Sequence, residues 1–219
     1  MKIKLVIFDC DGVLVDSEPA SNRVFVEELN RLGLDISYQE VCERFIGLSM
    51  VRCVEIVAGE LGRGVPEGFV ERLQSKTFDT FREGLDPVAG VVDALDRIPY
   101  PVCVASSGEL EKMRLTLGLT GLLDRFEGRM FSATEVRRGK PHPDLFLHAA
   151  RRMGVRPNRC VVIEDSSPGV RAARSAGMVV LGYAGRGNGG RLASDGAEVF
   201  DDMSRLPGML DGLAERERP

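Results

Sequence analysis

The stretch FDCDGVLVDSE, from Phe8 to Glu18, places two aspartates one residue apart, directly after an apolar run. That run, Ile3–Phe8, is nearly continuously apolar, as is typical of a parallel strand covered on both faces. Two carboxylates held together at the end of such a strand repel each other, and one pKa rises unless a cation is present. The stretch therefore predicts a buried strand that ends at a site for a cation.

Several other short, β-branched runs have the same character. Helical patterns separate most of them, and the helical run at 143–154 begins with Pro and ends at Gly, the usual asymmetry of a helix. Strands that alternate with helices predict an α/β fold with a doubly wound parallel sheet. The further predicted strands are Pro101–Ser106, Gly128–Ala133, Cys160–Glu164 and Met178–Tyr183, with Ala197–Phe200 as a candidate sixth.

The alternation is interrupted after the first strand. Residues 16–84 contain no strand-like run, and their apolar residues recur with helical spacing. Ser37 and Glu40 form a capping-box signature before one of four predicted helices, and Ser49–Leu61 and a segment that starts at Pro66 form two others. The sequence predicts an α/β core domain made of residues 1–15 and 85–219, with a small all-helical domain, 16–84, inserted after the first strand.

Composition and charge exclude several classes of partner. Aromatic residues make up 6% of the chain, which has no Trp, so a base-stacking platform is not expected. The net charge is −4 without a basic stripe, which argues against nucleic acid. No stretch is long enough to span a membrane, and the first apolar run is stopped by Asp9. The five cysteines form no CxxC pair and are expected to be free, mostly buried thiols in a cytoplasmic protein, with a monomer as the simplest expectation.

Polar residues follow four of the predicted strands at the points where they end. In open α/β sheets, ligands bind outside the carboxyl ends of the strands. If the first strand continues to Asp11, the side chains of Asp9 and Asp11 point the same way while Cys10 turns into the fold, and Gly12 permits a turn. The residues expected at this edge are Asp9, Asp11, Ser106, Ser107, Lys140, Glu164 and Asp165. Such an oxygen-rich set suits Mg²⁺.

Each of these residues alone has a simpler interpretation. A lone DxD is usually a solvated turn, Ser106 alone would cap a strand end, and Lys140 alone would be a surface charge. A Ca²⁺-binding EF-hand loop is excluded, because Val13 and Leu14 occupy the positions that need an oxygen ligand and a glycine. The placement of all these groups after four successive strands favours a functional site.

Four ordered motifs resemble those of the haloacid dehalogenase-like hydrolase superfamily. They read DCDGVLVDSE, VASSG, GKPHPD and VIEDSSPGVRAARSAGM, and together they extend over nearly the whole chain. The helical insert resembles the small cap domain of that family. Within it, the chain is similar to the branch of sugar phosphatases and β-phosphoglucomutases, and CVASSG and the overall spacing resemble 6-phosphogluconate phosphatase-type members.

The resemblance implies a phosphatase that acts on a small phosphorylated metabolite, a sugar phosphate or sugar-acid phosphate, through an aspartyl-phosphate. Asp9 would be the nucleophile, and Asp11 would protonate the leaving alcohol and then activate water. Ser106, Ser107 and Lys140 would bind the phosphoryl group. Asp165 would bind Mg²⁺ together with Asp9 and the Asp11 carbonyl, with Glu164 acting directly or through water. Dehalogenating relatives lack the second acid, so Asp11 favours phosphate over halide as the leaving chemistry.

Substrate choice is expected to lie with the cap. FIGLSMVRC, Phe45–Cys53, resembles a loop that in β-phosphoglucomutase-like members carries a Lys before the Gly and an Arg three residues after it. Ile46 and Met50 occupy these positions here, which favours a hydrolase over a phosphosugar mutase. The cap residues predicted to contact substrate are Glu18, Gly47, Met50 and Arg52. The alternative for Glu18 is an acid in the first turn of a helix, stabilised by the helix dipole.

Other classes of function fit less well. The run GRGNGG at 185–190 satisfies a dinucleotide-binding pattern but lacks the long following helix and the acid, so a flexible connection at the rim of the site is preferred. His142 and His148 have no third ligand for zinc. A receiver-type phosphoacceptor module would have its acid pair on an earlier strand and no helical insert. A non-catalytic phosphate-binding relative is disfavoured because all the groups needed for turnover are present.

Overall fold

The structure, a computed structural model, describes residues 2–45 and 50–215. Six strands lie in this part of the chain, with helices between them. The strands are β1 (Leu5–Phe8), β2 (Val102–Ser106), β3 (Met130–Ser132), β4 (Cys160–Glu164), β5 (Val179–Tyr183) and β6 (Glu198–Phe200). The helices are α1 (Glu18–Arg31), α2 (Tyr38–Phe45), α3 (Met50–Leu61), α4 (Phe69–Glu83), α5 (Val91–Arg97), α6 (Leu110–Leu119), α7 (Leu123–Phe126), α8 (Asp144–Arg152), α9 (Ser167–Ser175), α10 (Gly189–Ser194) and α11 (Leu206–Glu215).

The six strands form one parallel sheet in the order β3-β2-β1-β4-β5-β6. All four residues of β1 are fully buried, because helices cover both faces of the sheet. Leu5 and Ile7 pack into a core cluster with residues of α8 and α9, while Phe8 on the other face meets Phe126 edge to face. The predicted α/β class with a parallel sheet is confirmed, including the sixth strand.

The first strand is shorter than the sequence suggested. β1 ends at Phe8 and the chain bends at Cys10, so the extended conformation does not continue to Asp11. The bend is closed by backbone hydrogen bonds from Leu14 and Val15 to the carbonyl of Cys10. Cys10 nevertheless points into the fold, as predicted, and is 1% exposed.

Contacts divide the chain into two compact units, Met1–Asp16 with Asp86–Pro219, and Ser17–Leu85. The second unit consists of α1 to α4, and its described residues contain no strand. Its core joins apolar side chains from all four helices, among them Phe25, Phe45, Val57 and Leu73. The expectation that this unit acts as a cap stays a prediction.

Two local predictions for the helical unit have different outcomes. The capping box is present, since the amide of Glu40 donates to Ser37 Oγ and Glu40 Oε2 accepts from the amide of Ser37. The predicted helix start at Pro66 is wrong, because α4 begins at Phe69 after Gly68, whose φ of 72° lies in the left-handed region.

The cysteines and the apolar segments fit the sequence analysis. All five cysteines are free thiols, four of them buried and Cys42 half-buried. Within residues 2–45 and 50–215, every helix is too short or too polar to cross a bilayer.

Candidate active site

The sheet order gathers the sequence-predicted side chains at one edge. β1 lies between β2 and β4, so Asp9 follows the central strand, with Ser106 on one side and Glu164 on the other. The chain runs from β1 to β2 and β3 and then crosses back to β4, which makes β1 and β4 the point where the strand order reverses. Ligands bind at such switch points, outside the carboxyl ends of the strands.

Lys140 is enclosed by two of the carboxylates. Its Nζ lies 2.5 Å from Glu164 Oε1, to which it donates, and 2.9 Å from Asp9 Oδ1. The contact with Asp9 is an ion pair, and the buried Asp9 Oδ1 has no further hydrogen-bond partner among the described residues. The Lys140 side chain is only 4% exposed, so its ammonium interacts with the carboxylates of the site and hardly at all with solvent.

Glu164 is fully buried and held by the start of α9. Its Oε2 accepts from the amide of Ser166 at 2.8 Å and from Ser166 Oγ at 2.9 Å. Ser166 also caps α9, because its Oγ accepts from the amide of Gly169. A Cβ on Gly169 would lie 1.7 Å from Glu164 Oε1, so the helix can approach the carboxylate this closely only with glycine there. The positive end of the helix dipole and the ammonium of Lys140 therefore both face this buried side chain.

Asp165 follows Glu164 and turns towards the loop after β1. Oxygens of Asp9, Glu164 and Asp165 lie within 4.8 Å of one another, a spacing that can hold a metal ion. Gly12, with a φ of 78°, makes room for Asp165, since a Cβ there would lie 2.0 Å from Asp165 Oδ2. Asn188 Nδ2 donates to the Asp165 carbonyl at 2.7 Å and so links the glycine-rich loop to the site.

Asp9 and Asp165 are buried with too little positive charge around them, and this raises their pKa values. Desolvation raises the pKa of Asp9 to about 7, although the positive charge of Lys140 opposes the change. Desolvation and the charges of Glu164 and Asp9 also raise the pKa of Asp165 well above its ordinary value. Burial lowers the pKa of Lys140, but the two carboxylates outweigh burial and leave that pKa raised. Three carboxylates against one ammonium therefore leave a surplus of negative charge, which a divalent cation would balance.

Asp11 has a different partner from Asp9. Lys112, on α6, donates from Nζ to Asp11 Oδ2 at 2.8 Å. The two side chains are 28% and 26% exposed, so this pair lies at the open side of the site. Burial lowers the pKa of Lys112, but the charge of Asp11 outweighs burial and leaves that pKa raised.

The two serines predicted to bind phosphate, Ser106 and Ser107, differ in where the structure places them. Ser106 is 1% exposed, and its Oγ accepts from the amide of Gly108 at 3.1 Å. The space next to Gly108 adjoins both Ser106 Oγ and Asp11 Oδ2, which places the serine beside the acid. Ser107, in contrast, is exposed, and within residues 2–45 and 50–215 no contact of its side chain with the carboxylates is found.

The helical unit contains the other predicted contacts. Gly47 and Ile46 lie outside the described residues. Met50 begins α3 with 42% of its surface exposed, and Arg52 pairs with Glu55 at 2.8 Å on the same helix. Glu18 is the first residue of α1, which agrees with a first-turn acid. A role for any of them towards substrate stays a prediction.

Sequence reasoning missed two residues of the site, Lys112 and Asn188. Lys112 and Thr116 are polar residues one turn apart on a helix whose neighbouring positions, Met113 and Leu117, are buried. A polar pair beside an apolar stripe was a signal that this helix faces polar groups. The glycine-rich loop was rightly separated from a dinucleotide site, since α10 has six residues, and the contact of Asn188 with Asp165 places the loop at the rim.

Comparison with known proteins agrees with this geometry. A family model described as haloacid dehalogenase-like hydrolase matches residues 3–177, most of the chain. The chain belongs to this family. The match includes Asp9, Lys140 and Asp165, so the sequence resemblance and the family assignment rest on the same segments.

Individual members of the haloacid dehalogenase-like hydrolases are similar over nearly their full length. The chain is 31% identical over 207 residues to 6-phosphogluconate phosphatase of Escherichia coli (strain K12), covering 94% of each protein. It resembles a conserved haloacid dehalogenase-like protein of unknown function from Agrobacterium tumefaciens with a TM-score of 0.88 and 35% identity, over 97% of this chain and 100% of the other. A family hydrolase from Deinococcus radiodurans R1 with bound phosphate and sodium has a TM-score of 0.82 at 28% identity, with 96% of each chain covered.

Proposed function

We propose that this hydrolase is a Mg²⁺-dependent phosphatase that acts on a small phosphorylated sugar or sugar acid through an aspartyl-phosphate. The observation that carries the proposal is the buried Lys140, fixed between Asp9 and Glu164 at the carboxyl edge of the sheet. Phosphoryl transfer needs little covalent chemistry from a protein beyond a nucleophile, and positive charge around the equatorial oxygens supplies most of the catalysis.

The names of the relatives support a sugar phosphate as substrate. The E. coli relative is a 6-phosphogluconate phosphatase, and another, 31% identical over 182 residues, is hexitol phosphatase B of the same organism. Both act on polyhydroxylated chains that carry a phosphate. We therefore place the substrate of this chain in that class, in the cytoplasm, with the helical unit as the part that selects it.

The donor set fits Mg²⁺. Asp9 Oδ1 is buried without a further hydrogen-bond partner among the described residues, and the raised pKa values of Asp9 and Asp165 indicate that positive charge is lacking. Asp9, Asp165 and the carbonyl of Asp11 would hold the ion. Both oxygens of Glu164 already accept hydrogen bonds, which favours contact through water, as Mg²⁺ commonly keeps several waters. When bound, the ion would neutralise charge on the phosphoryl group.

In the first step, a carboxylate oxygen of Asp9 attacks phosphorus. A bond forms between this oxygen and phosphorus while the bond from phosphorus to the sugar oxygen breaks. Asp11 gives its proton to the leaving sugar oxygen, which departs as an alcohol. Lys140 and Ser106 bind the phosphoryl oxygens and keep the group in line.

In the second step, water attacks the phosphorus of the aspartyl-phosphate. Asp11, now a carboxylate, takes a proton from that water as the new bond forms. The bond between Asp9 and phosphorus breaks, which regenerates the Asp9 carboxylate and the acid form of Asp11 and releases inorganic phosphate. One group can serve as acid and then as base because each half-reaction restores what the other consumes.

The test is release of inorganic phosphate from a panel containing 6-phosphogluconate, sorbitol 6-phosphate, fructose 1-phosphate and glucose 6-phosphate, with and without Mg²⁺. We expect turnover that chelation abolishes and that Asp9→Asn reduces by roughly four orders of magnitude or more, as for loss of a catalytic nucleophile. Asp201→Asn, the same change at an exposed residue paired with Arg205, is the control and should leave turnover unchanged. Full activity in Asp9→Asn would reject the proposal.

Two further measurements separate the alternatives. A phosphosugar mutase would convert β-glucose 1-phosphate to glucose 6-phosphate, in the presence of glucose 1,6-bisphosphate, faster than it releases phosphate. A phosphoacceptor module would hold the phosphate on Asp9 for minutes or longer without net turnover. Either result would replace the phosphatase assignment.

A further inference from the structure

Helix α6 contacts two adjacent residues of the loop after β1, Cys10 and Asp11. Lys112 Nζ donates to Asp11 Oδ2 at 2.8 Å, and Thr116, one helical turn later, lies with its Oγ1 3.9 Å from Cys10 Sγ. Thr116 and Cys10 are almost completely buried. The second contact fixes the helix against the loop, so that the position of Lys112 relative to Asp11 is set by packing and not by a flexible surface pair.

The space around this contact is narrow on the side of Ser106. A Cβ on Gly108 would lie 3.4 Å from Ser106 Oγ, 3.5 Å from Lys112 Cδ and 3.8 Å from Asp11 Oδ2. These are ordinary van der Waals distances, so the serine, the lysine stem and the acid all border one small space beside Gly108. The lysine therefore reaches Asp11 from the side of β2, while Lys140 meets Asp9, directly after β1, and Glu164, at the end of β4.

We propose that Lys112 is a positioning residue, which holds the Asp11 carboxyl group by one oxygen so that proton transfer to the leaving group occurs from a fixed geometry. The inference rests on the proposed function, in which Asp11 is the acid. A general acid works only within hydrogen-bond reach of the atom that it protonates, and a carboxylate on a turn without an anchor rotates freely between orientations. The hydrogen bond to Lys112 restricts the orientation of one carboxyl oxygen, Oδ2.

The positioning role of Lys112 can be isolated by comparing substrates whose leaving groups differ in their need for a proton. A sugar alkoxide must be protonated as it departs, whereas p-nitrophenolate is a stable anion and departs without a proton. The value of kcat/KM reports the steps up to the first irreversible one, which is transfer of the phosphoryl group to Asp9. Loss of positioning should therefore lower kcat/KM for an alkyl phosphate and spare kcat/KM for p-nitrophenyl phosphate.

The variants are Lys112→Met, Lys112→Gln and Lys112→Arg, measured with p-nitrophenyl phosphate and with whichever of 6-phosphogluconate and sorbitol 6-phosphate the wild type turns over faster. We expect Lys112→Met to lower kcat/KM about 100-fold for the alkyl phosphate and less than about threefold for the aryl phosphate, within the range of general acid catalysis. Lys112→Gln, whose amide is a shorter and neutral donor, should lose less than Lys112→Met, and Lys112→Arg, which can still donate to Asp11 and keeps the charge, should recover most of the loss. Lys4→Met, the same change at the exposed opposite end of β1, should alter neither value.

A double variant completes the test. Asp11→Asn should show the same selective loss, and Asp11→Asn combined with Lys112→Met should be no slower than Asp11→Asn alone, because the lysine acts through the acid. Equal losses with both substrates, or independent losses in the double variant, would overturn the role of Lys112 while leaving the phosphatase intact. Absence of turnover of every phosphate by the wild type would overturn both proposals.

Discussion

Each of the two units of the chain buries acidic side chains, but their charges are balanced in opposite ways. In the helical unit, Glu28 is 5% exposed and one of its oxygens meets two cations, Arg31 at 2.5 Å and Lys76. At the edge of the sheet, three carboxylates share the single ammonium of Lys140. The helical unit supplies more positive than negative charge around its buried acid, and the α/β unit supplies less.

The difference separates a structural ion cluster from a functional one. Arg31 and Lys76 are 58% and 39% exposed, so water also solvates them, and the cluster around Glu28 is complete as it stands. The cluster around Asp9 is largely buried, and its three carboxylates exceed the positive charge that Lys140 supplies, a costly arrangement unless a ligand completes it. Removing charge from each cluster should therefore have different consequences.

Removal of the buried lysine is expected to have the largest effect. Lys140→Met should lower kcat/KM for a sugar phosphate by about 100- to 1,000-fold, because it deletes a cation aimed at the phosphoryl oxygens. It should also destabilise the metal-free protein by about 3 kcal/mol at pH 8, since buried carboxylates are left without a partner. Steady-state kinetics and urea unfolding measure the two effects.

Lys76→Met is the matched control in the helical unit. It removes a lysine from a buried glutamate that keeps Arg31. We expect activity within about twofold of wild type and a loss of stability below about 1 kcal/mol. If the two variants lose activity equally, Lys140 has no special role in the reaction.

Substitution of Gly12, which lies close to Asp165, should have an effect of intermediate size. Gly12→Ala places a methyl group where Asp165 Oδ2 lies and forces the carboxylate to move. The Mg²⁺ concentration for half-maximal activity should rise about tenfold or more, as expected for a displaced ligand. Gly121→Ala has a similar φ, 70°, with nothing within 4 Å, so it carries the backbone cost alone and should leave Mg²⁺ dependence unchanged. The same rise in both variants would indicate general destabilisation.

Most of the fold could be predicted because buried parallel strands leave a plain signal. The run Cys160–Glu164 coincides with β4, and five further strands lie within their predicted apolar runs. The ends of the strands could be predicted less well. The bend at Cys10 depends on backbone hydrogen bonds from Leu14 and Val15, which no local sequence pattern reveals. The start of α4 was misplaced because a proline permits a helix to begin without requiring it.

The site was predictable where its residues follow strands and not where tertiary packing decides. Asp9, Glu164 and Asp165 directly follow or end strands, so the sheet alone brings them together. The contact of Lys112 with Asp11 depends on how α6 packs against the loop, over a separation of 101 residues. Asn188 reaches Asp165 from the glycine-rich loop, for which the sequence predicted a place at the rim but no particular contact. Both contacts depend on three-dimensional placement, and the spacing of residues shows at most that α6 carries a polar pair, not what that pair meets.

A smaller effect should appear as a dependence of thermal stability on pH and Mg²⁺. The pKa of Asp9 is raised from 3.8 to about 7, so its contribution to stability is present below pH 3.8 and is lost as the pH rises through 7. Without metal, the contribution of this site to the thermal midpoint should fall between pH 5 and 8. Mg²⁺ should then raise the midpoint by about 5 °C more at pH 8 than at pH 5. Scanning fluorimetry with EDTA or MgCl₂ measures this, and Asp9→Asn should flatten the dependence; an equal shift at both values in the wild type would contradict it.

The smallest effect is expected at the other buried acid. Glu28→Gln removes the negative charge from the helical unit but keeps the shape of the side chain, and the two cations that it leaves can turn to water because both are well exposed. Unfolding should become easier by about 1 kcal/mol, with no change in the stabilisation by Mg²⁺ at any pH. Urea unfolding with and without Mg²⁺ provides the measurement. A cluster already balanced by its own lysine and arginine offers a divalent cation no place to bind. A stabilisation by Mg²⁺ that depends on Glu28 would contradict this and would mean that the metal acts on both units.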